Sequence, residues 1–157
     1  MDDLNVEYIN VFLMAATQVI KDVCHINFEV GKPYVKDTAF DGDSVVVNIG
    51  LTGQMRGQVL LAMPSQVACD IASKMCFMPI EQLDDMSLSA LSELGNMIFG
   101  NAATVLSTKG IVIDITPPSI IQGKFKLSNA YAKNICVPLN YDTDKLIELD
   151  ISIKREE

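Results

Sequence analysis

Glu93 and Asn96 stand three positions apart in a run whose apolar residues recur with helical spacing. Residues three apart on an α-helix are neighbours, with about 5–6 Å between their Cβ atoms. Both side chains can therefore reach one point just above the helix. A carboxylate brings an acceptor and a negative charge, and an amide brings donor and acceptor together. Such a pair can orient a water molecule and engage a cation.

At about 100° per residue, the helix resolves into two unlike sides. Leu91, Leu94, Ile98, Ala102 and Val105 form one stripe, its expected core face. Ser89, Glu93, Asn96, Gly100, Ala103 and Ser107 gather on roughly the opposite side. A solvated helix face normally carries long charged residues, yet this one is mostly small. Gly100 alone costs about 1 kcal/mol relative to Ala in a helix interior. Small residues let another surface come close: a partner's, or a second helix of this same chain.

Other chemistries find less support. Cys24, Cys69, Cys76 and Cys136 form no C-x-x-C pair, and His25 is the one histidine, so no zinc site and no metal is expected. Apolar neighbours favour buried, reduced thiols. Cys24 and His25 are adjacent, and adjacent residues at a helix end point apart, which argues against a Cys–His pair. No G-x-S-x-G context supports a serine nucleophile. The net charge of −8, from 12 basic and 20 acidic residues, repels nucleic acid and anionic membranes, and neither is an expected partner. No apolar run approaches the roughly 18 residues needed to cross a bilayer. The acidic start, Met1-Asp2-Asp3, lacks the basic-then-apolar order of a secretory signal, so a cytoplasmic location is expected.

The elements that must position Glu93 and Asn96 can be read from periodicity and breakers. Ile9, Phe12, Leu13, Ala16, Val19, Ile20 and Val23 predict a helix over about Asn5–Val23, ended by Gly31-Lys32-Pro33. Strands are predicted over Tyr34–Ala39, Ser44–Leu51 and Met55–Met63. Asp41-Gly42-Asp43 and Thr52-Gly53 would turn them into two successive hairpins. Pro64-Ser65 opens a short helix to about Cys76. The long helix runs from about Asp85 to Lys109, where Gly110 stops it. Strands follow over Ile111–Ile115, Ser119–Ile121, Ala132–Leu139 and Leu146–Ile153, with a kink at Pro117-Pro118. In the last strand Ile147, Leu149, Ile151 and Ile153 alternate with Glu148, Asp150 and Ser152, the pattern of a half-buried antiparallel strand. The expected fold is α+β: a mainly antiparallel sheet with one long and two shorter helices packed on it, residues 1–157 forming one domain.

The run Ser89-Ala90-Leu91-Ser92-Glu93-Leu94-Gly95-Asn96-Met97-Ile98-Phe99-Gly100 resembles the signature of the CheC/CheX/FliM group: Asp or Ser, three residues, Glu, two residues, Asn. Ser89, Glu93 and Asn96 meet it. Asp114-Ile115-Thr116-Pro117-Pro118-Ser119 and Gly123 resemble the segment that follows this helix in CheX proteins. A single copy favours CheX over CheC, which typically carries two. Glu7 and Asn10 repeat E-x-x-N in the first helix, but Leu13 and Met14 stand where the main motif has Phe99 and Gly100, and the pair reads as a solvated face. The resemblance implies a hydrolase, a protein phosphatase acting on the aspartyl phosphate of a CheY-like response regulator in chemotaxis. In that reading Asn96 holds the water, Glu93 pairs with a lysine of the partner, and Ser89, Gly100 and Ala103 receive the docked surface. The magnesium ion, Mg2+, belongs to the partner, and this chain needs no cofactor of its own. CheX proteins also imply a homodimer. The competing reading is a non-catalytic module that binds a response regulator or the flagellar switch, with the same fold and no role for Glu93 or Asn96 in hydrolysis.

Overall fold

The computed structural model describes residues 6–128 and 133–155. The predicted residues Asn5 and Ala132 lie outside them.

Among the described residues three helices form: α1 (Val6–Cys24), α2 (Ser65–Cys76) and α3 (Asp85–Thr108). Ten strands accompany them: β1 (Glu29–Val30), β2 (Tyr34–Val35), β3 (Ala39–Phe40), β4 (Ser44–Gly53), β5 (Met55–Pro64), β6 (Ile113–Ile115), β7 (Ser119–Gln122), β8 (Phe125–Lys126), β9 (Ile135–Tyr141) and β10 (Lys145–Arg155). Eight strands make one antiparallel sheet in the order β1-β9-β10-β5-β4-β6, with β2 also on β9 and β7 also on β4. The fold is α+β, as the sequence predicts. Alternate residues of the long strands (Val45, Val47, Ile49; Val59, Leu61, Met63; Leu149, Ile151, Ile153) join the inner faces of all three helices in one core.

Only the second of the two expected hairpins forms. β4 pairs with β5, but β2 pairs with β9 and β3 with β8. The Asp41–Asp43 turn is present, since Ser44 N–H donates to Asp41 O at 3.3 Å, yet the arm before it does not fold back along β4. It crosses the outer face of the sheet. There β3 and β8 form a two-stranded cover, with Phe40 stacked on Phe125 at 5.0 Å above Val46, Leu60 and Ala62.

That cover corrects a second expectation. β10 is not half-buried: Asp150 and Ser152, on its predicted solvent side, are each 1% exposed. Asp150 sits opposite Leu60, which belongs to the covered cluster. Its Oδ1 accepts from Asn134 Nδ2 at 2.9 Å, and Oδ2 has no partner. Burial pushes this carboxyl up to about 6; the Asn134 hydrogen bond works against the rise and the nearby Glu148 charge adds to it.

Both ends of α3 are fixed by their own residues. Asp84 Oδ1 accepts the Ser87 N–H at 2.9 Å while Ser87 Oγ accepts the Asp84 N–H at 2.7 Å, a reciprocal capping box. At the far end Gly110 takes the left-handed conformation, φ +81°, and lets two bonds close the last turn. Ile111 N–H reaches Leu106 O at 3.0 Å and Gly110 N–H reaches Ser107 O at 3.1 Å.

Candidate active site on the third helix

The rotation of α3 about its axis decides which residues face outward, and its inner side sets that rotation. Ser87, Leu91, Leu94, Gly95, Ile98, Phe99, Ala102 and Leu106 are buried. Val105 departs from expectation: it is 37% exposed, and Leu106 takes the core position. The inner stripe widens around Gly95, a Cβ on which would lie 2.8 Å from Val47 Cγ1. The missing side chain lets the helix backbone settle directly on β4, turning Ser89, Glu93 and Asn96 outward, where all three are exposed.

The sheet supplies the other wall. Ile115 lies opposite Leu51 and Ser119 opposite Asn48, so three residues, 116–118, face two, 49–50. This is a β-bulge, and Pro117 and Pro118 occupy it without needing N–H donors. Thr116 closes it, donating its N–H to Gly50 O at 3.0 Å and accepting the Gly50 N–H on Oγ1 at 2.9 Å. The predicted kink is therefore a register shift of one residue. It sets Pro118 beside Gly95 and lets Ile120 pair with Val47 under the helix. Between α3 and β7 opens a shallow groove of about 500 Å³, lined by Asp85, Leu88, Ser89, Ser92, Glu93, Asn96 and Ile120.

Of the predicted site residues, the groove thus brings together Ser89, Glu93 and Asn96. Gly100 and Ala103 do not line it; they continue along the same face as half-buried positions, with nothing within 4 Å of a Cβ built on Gly100. Among the described residues no second helix covers Gly100. Asp85, Ser92 and Ile120 were not singled out by periodicity. Ile120 is reachable only through the bulge, and no local pattern announces that pairing.

Glu7 and Asn10 are exposed on the first turns of α1, as read from the sequence. They border a different space, an α1–α3 groove of about 710 Å³ with Val11, Met14, Ala15 and Val105. No β7 wall stands beside them. Cys24 and Cys136 are buried and reduced, whereas Cys69 and Cys76 are half-buried. Burial raises the Cys24 thiol to about 11, which leaves it a poor nucleophile, and His25 next to it is exposed, its N–H donating to Lys21 O at 2.9 Å. Among the described residues no group of three or more His, Cys, Asp and Glu could hold a metal ion. No helix of the described residues is long and apolar enough to cross a membrane.

An exposed carboxylate and amide, one turn apart beside a polar groove and held by two capped helix ends, can fix a water and a partner's cation. Comparison with known proteins gives this arrangement its context. The family model "Chemotaxis phosphatase CheX" matches residues 45–140, which include β4 from its second residue, α3, the bulge and β7. The chain is 30% identical to the CheY-P phosphatase CheX of Thermotoga maritima over 96% of its own length and 98% of that protein's. It is 37% identical to the protein matched in the solved CheX-CheY-BeF3-Mg+2 complex from Borrelia burgdorferi, with a TM-score of 0.83, covering 96% of this chain and 100% of that one. A CheC-like protein of Shewanella sp. PV-4 is 28% identical with a TM-score of 0.86, over 96% and 99% of the two chains. The chain belongs to the chemotaxis phosphatase CheX family, within the CheC/CheX/FliM group.

Proposed function

We propose that this protein accelerates hydrolysis of the aspartyl phosphate of a CheY-like response regulator, with residues 1–157 serving as one phosphatase domain in the cytoplasm. The observation that carries the reading is the exposed Glu93–Asn96 pair beside the α3–β7 groove, within a CheX-family fold. An acyl phosphate is already activated, so what the reaction lacks is an aligned water and neutralised oxygens; positioning supplies most of the acceleration. Asn96 holds the water through its amide. Water oxygen forms the new bond to phosphorus, the bond from phosphorus to the aspartyl oxygen breaks, and inorganic phosphate and a free carboxylate leave. Glu93 pairs with a lysine of the regulator and fixes the register of docking. Mg2+, present in the Borrelia burgdorferi complex, sits on the regulator in this scheme and offsets the charge on the phosphoryl oxygens. Ser89, Gly100 and Ala103 keep the face low enough for the partner to approach.

The working unit is a homodimer in this proposal. Val30, Tyr34 and Val35, on the short strands flanking β9, are 45%, 48% and 61% exposed, an apolar edge suited to a second copy.

The test is release of inorganic phosphate from a phosphorylated CheY-like regulator, with and without the protein. Release speeded in proportion to the protein added is expected. Binding of the regulator without any acceleration would leave the non-catalytic module as the better account.

A further inference from the structure

The face of α3 carries apolar residues that the chemistry above does not use. Measured around the axis from Glu93, at about 100° per residue, Ser89, Asn96 and Asp85 lie about 40°, 60° and 80° to one side, toward β7. On the other side Met86 and Met97 lie about 20° and 40° away. They are 47% and 40% exposed. Glu93 thus stands on a crest, with the polar groove on one flank and two methionines on the other.

Single exposed apolar residues are ordinary on a protein surface. Two features set this pair apart. First, α3 has 24 residues and only two charges, Asp85 and Glu93, so covering its outer face displaces little bound water from ionised groups. Second, the distances match a docked partner. A standard interface buries about 800 Å² per partner, a patch of about 16 Å radius. Along the axis Met97 is about 6 Å and Met86 about 10 Å from Glu93, inside that radius, whereas Val105, about 18 Å away, falls outside.

We propose that Met86 and Met97 form the apolar shoulder on which the phosphorylated regulator rests, and that they set affinity, not the rate of the bound complex. The inference rests on the phosphatase reading above and deepens it. Methionine suits the task because its unbranched thioether adapts to the surface it meets. A contact made equally before and during hydrolysis changes KM and leaves kcat alone.

The double variant Met86→Gln/Met97→Gln keeps side-chain length and helix propensity but removes the apolar surface. We expect its KM for the phosphorylated regulator to rise about tenfold with kcat within about twofold of wild type. Met86→Leu/Met97→Leu, which restores the apolar surface, should return KM to the wild-type value. Met14→Glu, in the α1–α3 groove, should change neither constant. A KM unmoved by the Gln pair, a fall in kcat at constant KM, or a Met14→Glu effect as large as that of the Gln pair would each overturn the proposal. Titration with a regulator loaded with beryllofluoride and Mg2+ reads the same affinities without turnover. The methionines are therefore still decided if wild-type protein gives no acceleration, an outcome that would sink only the phosphatase reading.

Discussion

Asn96 and Glu93 divide two tasks that are measured separately. The Asn96 amide is small and adds little to a protein–protein contact area, so Asn96→Ala should cut the accelerated hydrolysis rate by about 10²-fold with little loss of binding. Glu93→Ala should lose rate and affinity together, because its proposed partner is a lysine of the regulator. Stopped-flow fluorescence of dephosphorylation beside a binding titration separates the two. Wild-type rates in Asn96→Ala would show that the amide does not hold the water. Asp150 makes a different prediction, one of stability. Its folded value, about 6, lies above the ordinary carboxylate value, so the folded state holds a proton that the unfolded chain gives up between about pH 4 and 6. Stability from this group is fully present below about pH 4 and is lost as pH rises to about 6. The displacement corresponds to about 3 kcal/mol. Asp150→Asn keeps the shape and lets an amide meet Asn134, so it should stabilise the protein at pH 7.5 by about 2–3 kcal/mol and bring little at pH 4. Urea unfolding at the two pH values reads the difference; an equal effect at both would mean that Asp150 does not titrate in this range.

At the scale of elements, two glycines of α3 should respond oppositely to the same change. Gly95→Ala puts a methyl 2.8 Å from Val47 Cγ1 and forces α3 off β4, a loss of about 1–3 kcal/mol. Gly100→Ala meets nothing within 4 Å and should gain about 1 kcal/mol from helix propensity. Thermal melts followed by circular dichroism give both signs, and a destabilised Gly100→Ala would reveal packing that the open surface lacks. Gly100→Leu should fold equally well yet block docking. Periodicity made α3 legible because its inner stripe is long and capped at both ends. Periodicity does not separate Val105 from Leu106 at the edge of the stripe, where a small difference in rotation exchanges the two. In β10 the alternation predicts the inner face and does not predict the burial of the outer one. Ile147, Leu149, Ile151 and Ile153 do join the core shared with the helices, but Asp150 and Ser152 are buried on the other face as well. Strands of two residues, such as β3 and β8, have no period to detect. The Glu93–Asn96 pair is legible in the sequence because it is local to one helix. The groove wall at Ile120 is not, because it depends on a bulge between segments distant in sequence.

For the whole molecule, the prediction concerns assembly. β9 and β10 are each paired on both sides, so the sheet's outer strands are the short β1 and β2 at one edge and β6 and β7 at the other. Long exposed edges invite uncontrolled pairing, and short ones limit it to a partner of matching shape. Sedimentation at micromolar concentration should give twice the chain mass of 17.2 kDa. Val35→Lys, on the exposed apolar edge, should shift the equilibrium toward monomer. A monomer at every concentration would remove the dimer from the scheme.

The place of β10 also governs when a working site can exist during synthesis. It lies between β9 and β5, and its pairing of Arg155 with Met55 is among the most distant in the chain. Glu93 and Asn96 are joined to the growing chain long before that, yet the sheet beneath them lacks its interior strand β10 until residue 155 has been added. In the interval β5 lacks its neighbour on one side, and that open edge can associate with other chains. Pairing across such a separation closes a long loop and is slow. Translation halted after Tyr141 would therefore release a chain that carries every residue of the E-x-x-N motif and docks no regulator. A lasting docking face therefore waits on the last strand, although none of its residues lies there.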